Sequence, residues 1–311
     1  MAKARALDRR RNSIRGIRKI TRTMELIATA QFKWAMDRAI AAAAYTERVT
    51  TLVGHLARSG LEVSHPLLEP RSEPRRATLL VLTANRGLCG GYNSAVLRAA
   101  YAKYYELTRA LPEISLEVAG KRGISAFRFR KFEIDEAFTH FEDKPSFAEV
   151  DVLAERYLQE YAAGRIDRLE VAYTRFETAS NQQPTVETLL PVGELHEEQV
   201  DNLSKQKPKQ KGTGQVDNLS YNAHETQYEF LPSAERILDE VVPICFRLRL
   251  FKCFLDAVVS EQIARMMAMK AATDNADEMI ARLSMAYNRA RQGQITGELL
   301  EIIGGADALN E

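Results

Sequence analysis

The chain has 311 residues, 45% of them hydrophobic, and its 43 basic and 42 acidic residues leave a formal net charge of +1. This length allows one large or two ordinary domains, and the balanced total excludes a chain that is basic or acidic throughout. No apolar run approaches the roughly 18–20 residues needed to cross a bilayer, so neither a transmembrane segment nor a signal peptide is expected. The three cysteines show no CxxC spacing, and we interpret Cys89, Cys245 and Cys253 as free thiols of a soluble, cytoplasmic chain.

The balanced charge conceals a strongly basic N-terminus. Residues 1–22 contain nine bases and one acid, Asp8, which leaves 34 bases and 41 acids in the rest of the chain. A basic arm of this kind suits nucleic acid, an anionic membrane or an acidic protein surface. An organellar transit peptide is an alternative, but the helical pattern described next begins inside the basic segment and continues without a cleavage-like boundary.

Two long helices are predicted at the ends of the chain, because residues recur at alternating spacings of three and four. The seam positions of the first helix are Ile14, Ile17, Thr21, Met24, Ala28, Gln31, Ala35, Arg38, Ala42, Tyr45, Val49, Leu52 and Leu56. Those of the second, which is predicted from about Ala234 to Ile303, are Met266, Met269, Thr273, Ala276, Ile280, Leu283, Tyr287 and Ala290. Helices of roughly 70 and 100 Å exceed a compact domain. We therefore expect them to wrap around each other, the alternative being an ordinary amphipathic helix buried on a domain.

The middle of the chain alternates between strand and helix patterns. Short apolar runs predict strands at Ala77–Leu82, Ser115–Ala119, Leu169–Phe176 and Thr185–Pro191, and helices are predicted at about Ser94–Arg109 and Ser146–Ala163. Continuous apolar runs are typical of strands buried on both faces. The alternation therefore predicts an α/β head with a mostly parallel sheet.

A glycine-rich turn, Asn85–Asn93 (NRGLCGGYN), follows the first predicted strand, where phosphate-binding folds place their loops. The detail does not favour nucleotide binding, because no Gly-Lys-Ser/Thr is present and Gly87, Gly90 and Gly91 do not form GxGxxG. We interpret this segment as a tight turn, with a nucleotide site as the alternative. The five histidines show no HExxH or carboxylate spacing and no GxSxG is present, so no catalytic, cofactor or metal site is expected.

A polar insertion interrupts the chain at residues 194–225. It contains an internal duplication, Gln199–Ser204 and Gln215–Ser220, both reading QVDNLS. The predicted domains are an N-terminal coiled-coil helix at 1–60, an α/β globular head at 61–232 that includes the insertion, and a C-terminal coiled-coil helix at 233–311.

Four segments, in order along nearly the whole chain, resemble one family. They are Ile14–Met24 (IRGIRKITRTM), the turn Asn85–Asn93, Ser260–Asn275 (SEQIARMMAMKAATDN) and Tyr287–Ala308 (YNRARQGQITGELLEIIGGADA). Each is similar to the corresponding segment of the gamma subunits of F-type ATP synthases. The resemblance implies an α/β head of Rossmann-like topology that binds no nucleotide, attached to an antiparallel coiled coil of both termini.

By the same resemblance, the chain is expected to be the rotor of the central stalk. The coil would lie inside a ring of three alpha and three beta subunits that carry the nucleotide sites, and the head would sit with the epsilon subunit on a ring of c subunits. Such a complex would couple ion flow to ATP synthesis or hydrolysis on the cytoplasmic side of a bacterial plasma membrane. The chain itself would have no active site and would associate only peripherally with the membrane.

The resemblance also assigns contact residues. Positions for contact with beta or for coupling are Met24, Arg265, Arg291, Gln292, Thr296, Glu298 and Glu301, the last two also interpreted as surface ion-pairing groups. Basic positions expected to face an acidic beta-subunit loop and the cavity wall are Arg9, Arg10, Arg11, Arg15, Arg18, Lys19 and Arg22. Tyr228 and Phe230 are expected near the c ring and epsilon. For each surface charge, a solvated helix face is the alternative.

Three other functions are weighed against this one. A structural coiled-coil adaptor with an α/β head would explain the seam but not the four ordered motifs. A nucleotide-using enzyme centred on the glycine-rich turn would bind nucleotide saturably by itself. A nucleic-acid-binding basic arm would lose affinity steeply with salt.

Overall fold

The computed structural model describes residues 2–58, 65–69, 71–141, 144–192 and 234–307, with side chains omitted at some helix ends. The helices of these ranges are α1 (Ala2–Arg58), α2 (Tyr92–Ala110), α3 (Lys121–Phe129), α4 (Phe147–Ala162) and α5 (Ala234–Asp307). The strands are β1 (Arg76–Leu82), β2 (Glu113–Ala119), β3 (Glu136–Phe138), β4 (Arg168–Phe176) and β5 (Gln182–Leu190).

The strands form one mixed sheet in the order β3-β2-β1-β4-β5. The first four are parallel, and β5 runs antiparallel to β4 at the edge. The prediction of a mostly parallel sheet is therefore confirmed, and all four predicted strands are present. The short strand β3 and the helix α3 that precedes it were not predicted.

Helices cover both faces of the sheet, which explains the unbroken apolar run of β1. Leu79 and Val81 belong to a core shared with α2 and α3. Leu80 and Leu82 point the other way, into a larger core with α4 and α5. Alternate residues of a strand face opposite sides, so a strand covered on both sides must be apolar at every position.

The two long helices, α1 and α5, run antiparallel along each other. Thr21 contacts Thr273, with 2.8 Å between the two hydroxyl oxygens. Arg18 pairs with Asp277 at 2.5 Å. Earlier still on α1, the Arg11 guanidinium lies 4.8 Å from the centre of the Tyr287 ring. In these three contacts the residue number falls on α1 as it rises on α5, so the two helices are antiparallel.

Burial along α1 follows the predicted seam with two departures. Thr21, Ala28 and Ala35 are buried as predicted. Ile17 is instead 47% exposed, and the predicted seam position Arg38 is exposed while its neighbour Ala39 is buried. Arg38 departs from the seam because its guanidinium lies over the Trp34 ring, 4.3 Å from the ring centre.

The other seam positions differ in how far the structure describes them. On α5, Met269, Thr273 and Ala276 are buried, and the other five predicted positions are half-buried. The side chains of Tyr45, Val49, Leu52 and Leu56 lie outside the described residues.

Small residues in the seam predict a sensitivity to added volume. Ala35 has no exposed surface and packs with Leu255, Val259 and Ile263 of α5. Ala35→Leu is expected to lower the free energy of unfolding by about 1–3 kcal/mol, because three extra carbon atoms must displace packed neighbours. Urea denaturation measures the change. The control is Ala30→Leu on the exposed side of α1, and equal stability of the two variants would contradict the packing argument.

None of the helices in the described ranges has a stretch long and apolar enough to cross a membrane.

Candidate interaction surfaces

The basic residues of α1 divide into two groups. Arg9, Arg10, Arg15, Lys19 and Arg22 are exposed, and Arg22 also pairs with Glu25 of the same helix at 2.8 Å. Arg11 and Arg18, predicted for the same role, also contact Tyr287 and Asp277 of α5, and the Arg18 side chain remains 50% exposed. Asp277 was not predicted to take part in this pairing, although it follows the seam position Ala276 directly.

Large apolar side chains are exposed among these bases. Ile20 is 62% exposed, and Leu26 and Ile27 are half exposed or more. Exposed apolar residues rimmed by charge are typical of a protein–protein contact surface. These residues were not predicted because they lie off the seam, although a large apolar residue off the seam of a paired helix itself indicates a contact surface.

The end of α5 presents a second surface. Arg291, Gln292, Thr296, Glu298 and Glu301 are all exposed, as their predicted role in partner contact requires. Large apolar residues stand among them: Ile295, Leu299, Leu300, Ile302 and Ile303 are each 46% exposed or more. Because Arg11 lies against Tyr287, the start of α1 lies near Thr296. The last turns of α5 therefore extend beyond α1.

Two predicted coupling residues lie closer to the interior. Met24 is partly buried on α1. Arg265 is only 7% exposed, and its guanidinium donates to Gln262 at 2.9 Å and to Glu261 at 2.5 Å. Any effect of Arg265 on a partner is therefore transmitted through α5 and the turn packed on it.

The glycine-rich turn packs against α5. A Cβ atom at Gly90, which has φ +55°, would lie 3.9 Å from the Cβ of Ala268. Cys89 and Tyr92 are buried in the same place, and burial together with the nearby Glu261 carboxylate raises the pKa of the Cys89 thiol. The turn thus attaches the head to the long helix.

The crevice where doubly wound folds hold their ligands is filled by α5. Such ligands bind at the carboxyl ends of the strands, beside the point where strand order reverses. Here Thr83 and Gly120 mark that edge, and Phe254, Ala257 and Glu261 of α5 lie over it. The cavity left is about 30 Å³, which is room for only one or two water molecules.

Tyr228, Phe230 and the insertion 194–225 lie outside the described residues.

The chain was compared with known proteins. A family model described as ATP synthase matches residues 3–309. The chain is 54% identical over 311 residues to the ATP synthase gamma chain of Rhodopirellula baltica, with 99% of each chain covered. It is 36% identical over 310 residues to that of Leptospira biflexa strain Patoc 1, with both chains covered completely.

Two solved structures have a similar fold. One is a chain of the Euglena gracilis mitochondrial ATP synthase, with a TM-score of 0.62 and 19% identity, covering 99% of this chain and 95% of that one. The other comes from the central stalk and c-ring of the Tetrahymena thermophila enzyme, with a TM-score of 0.54 and 19% identity. That match covers 81% of this chain and 99% of the other.

Proposed function

Since this chain belongs to the ATP synthase gamma chain family, we propose that it is the central-stalk rotor subunit of an F-type ATP synthase. The observation that carries the proposal is the 54% identity along essentially the whole length of a gamma chain. The paired helices and the surfaces at their exposed ends give the proposal a physical basis. Its working place would be the cytoplasmic side of a bacterial plasma membrane.

The proposed partners follow from the two exposed surfaces and from the head. α1 and α5 would form an antiparallel coiled coil inside a ring of three alpha and three beta subunits. The seam and the cross-helix contacts of Thr21, Arg18 and Arg11 support this arrangement. The head would bear on epsilon and the c ring, with the domain limits 1–60, 61–232 and 233–311.

Coupling would arise from differential contact. A single asymmetric shaft presents a different face to each of three identical partners, such as the exposed bases of α1 to one and the end of α5 to another. Each partner is then biased toward a different conformation, and the same contact free energy transmits force in both directions. Ion flow would turn the shaft for synthesis, and ATP hydrolysis would turn it backward.

We propose that the chain has no active site of its own and needs no cofactor. Support comes from the crevice at the carboxyl edge of the sheet, where α5 leaves a cavity of about 30 Å³. A nucleotide is several times larger than that. The nucleotide sites would accordingly lie on alpha and beta.

Reconstitution tests the proposal. The chain would be combined with the alpha and beta subunits encoded in the same genome, and particle stoichiometry and ATPase rate would be measured with and without it. One copy per three alpha–beta pairs, with a large gain in steady turnover, is expected. If correctly folded alpha and beta subunits fail to bind the chain, the proposal is wrong and a structural adaptor becomes the better hypothesis.

Met24→Lys tests the predicted coupling surface. The new ammonium is expected to bind acidic partner groups in one rotational position and so weaken coupling. If this charged contact contributes about 1 kcal/mol in one rotational position only, it changes the equilibrium constant between that position and the others by about fivefold. Proton pumping per ATP hydrolysed, measured in membrane vesicles, should fall, while Met24→Leu should match the parent. Unchanged pumping in Met24→Lys would show that this position does not contact a charged partner.

A further inference from the structure

We propose that Thr21 and Thr273 are positioning residues that fix the axial register of α1 on α5. Two flanking contacts, Arg18 with Asp277 and Arg11 with Tyr287, support them. We call these three contacts the clasp. The proposal rests on the proposed rotor function, because the register decides how the two partner-facing surfaces are placed relative to each other.

The apolar seam of α1 specifies register weakly. Its buried positions after Thr21 are alanines: Ala28 and Ala35 have no exposed surface and Ala39 has 6%. A methyl group is a small knob that fits equally into many holes along a helix. Large interdigitating side chains or a buried polar residue are what normally fix the register of paired helices.

The hydroxyl pair supplies such a polar contact. Both threonines are buried, at 8% and 6% exposure. The Thr273 hydroxyl has two acceptors, the Thr21 oxygen at 2.8 Å and the Met269 carbonyl oxygen of its own helix at 2.9 Å. The Thr21 hydroxyl donates to the Arg18 carbonyl oxygen at 3.1 Å. Each hydroxyl can donate to a carbonyl oxygen of its own helix in any register, but the Thr21 oxygen accepts from Thr273 only when the two residues lie opposite each other. A displacement by one heptad would place an alanine or another apolar seam residue against each hydroxyl.

The position of this pair is as important as its chemistry. From residue 4 to residue 20, none of the described α1 side chains is buried. This part of α1, which holds most of the exposed bases, is therefore not anchored by an apolar core. In this part of α1, Arg18 and Arg11, one heptad apart, contact Asp277 and the Tyr287 ring of α5.

The consequence concerns the placement of the two surfaces. The exposed bases of α1 lie before the clasp, and Arg291, Gln292 and Thr296 lie beyond it on α5. A slip of one heptad would displace one surface relative to the other by about 10 Å. The clasp thus sets the distance at which the shaft presents its basic arm and its C-terminal contacts to the same ring of partners.

Cysteine trapping measures the register directly. Ile14→Cys with Ile280→Cys reports the native register, because both lie one heptad from the threonine pair in opposite directions. Leu7→Cys with Ile280→Cys meets only after a slip of one heptad. Both cysteine pairs would be introduced into the full-length parent and into the Thr21→Val/Thr273→Val variant. Disulfide yields would be measured for each chain alone and after assembly with alpha and beta. The ratio of native to slipped yield is expected to fall at least about fivefold in the valine variant.

Controls separate positioning from general stability. Thr23→Val removes an exposed hydroxyl that bonds only within α1, to the Lys19 carbonyl oxygen at 2.9 Å, and should leave the ratio unchanged. Thr21→Ser keeps the hydroxyl and should give the same ratio of native to slipped yield as the parent. The valine variant should unfold at the same temperature as the parent, since replacing both partners by apolar groups of the same shape is nearly neutral.

Coupling provides the functional readout. In vesicles, proton pumping per ATP hydrolysed should fall about two- to threefold in the valine variant and be normal in Thr21→Ser and Thr23→Val. An unchanged trapping ratio, or a changed ratio with normal pumping, would overturn the positioning role. Failure of the parent chain to assemble would overturn the rotor function instead, and the ratio in the free chain would still decide whether the hydroxyls set the register.

Discussion

Gly120→Ala is expected to lower the free energy of unfolding by more than about 3 kcal/mol, which places it among the most damaging single substitutions. Gly120 ends β2 with φ +100°, and a Cβ atom there would lie 2.0 Å from the Thr83 carbonyl oxygen. The clash is with backbone, so a side-chain rotation cannot relieve it. Thr83 is itself fixed, since its hydroxyl donates to the Ala119 carbonyl oxygen at 2.8 Å and accepts from the Gly123 amide at 2.9 Å.

Urea denaturation followed by circular dichroism would measure this effect. Gly91→Ala is the matched control, because φ at Gly91 is −86° and no atom lies within 4 Å of the added methyl group. Its stability should equal that of the parent. A Gly120→Ala chain within about 1 kcal/mol of the parent would mean that β1 and β2 can separate more easily than their packing indicates.

Arg249→Met is expected to cost about 3–5 kcal/mol, because it leaves a buried carboxylate without its main partner. The Arg249 guanidinium donates to Glu187 at 2.9 Å and to the Thr188 carbonyl oxygen at 3.3 Å. Glu187 also accepts from Tyr173 at 2.7 Å and from Arg175 at 2.8 Å. Arg247→Met, two residues away on α5 and paired at the surface with Asp151, should cost about 1 kcal/mol or less.

The same ion pair predicts a dependence on pH. Burial by itself would raise the pKa of Glu187, but Arg249, Tyr173 and Arg175 outweigh burial and lower it from 4.5 to about 2. The stabilisation is therefore complete above about pH 4.5 and is lost as the pH falls from there toward about 2. In Arg249→Met the pKa of Glu187 should rise toward its ordinary value, so the free energy of unfolding should change less between pH 4.5 and 2 than in the parent. Equal changes in parent and variant over this range would contradict the assignment.

Local patterns in the sequence predicted most of the fold. The apolar run of β1 and the helical pattern of α4 are signals carried by residues close together in the sequence. In the structure α4 starts with a capping box, in which the Ser146 hydroxyl accepts from the Glu149 amide at 3.2 Å and the Glu149 carboxylate accepts from the Ser146 amide at 2.9 Å. The helix α3 lacks such signals, because it is short, basic and starts directly after Gly120 without a side-chain cap. The strand β3 has only three residues, too few to show a period.

The candidate surfaces were predicted less completely, and the reason is physical. A heptad pattern locates a seam only to within one residue, so it could not show which of Arg38 and Ala39 is buried. In the structure Ala39 is buried, and Arg38 lies over the Trp34 ring instead. The charge pattern alone could not show that, among the bases of α1, Arg11 and Arg18 contact α5. Partner-contact residues are selected by a molecule outside this chain, and no pattern within the chain reports that selection.

Because the continuous helix α5 belongs both to the head and to the helix pair, no linker separates these two parts along its described length, Ala234–Asp307. Over Leu238–Ile263 this helix contributes side chains first to the core beneath the sheet and then to the core shared with α1. A twist applied at one end cannot be absorbed by a linker and must strain packed side chains along the way. The head and the paired helices are thus expected to melt together as one cooperative unit, and to respond to load as a single stiff lever.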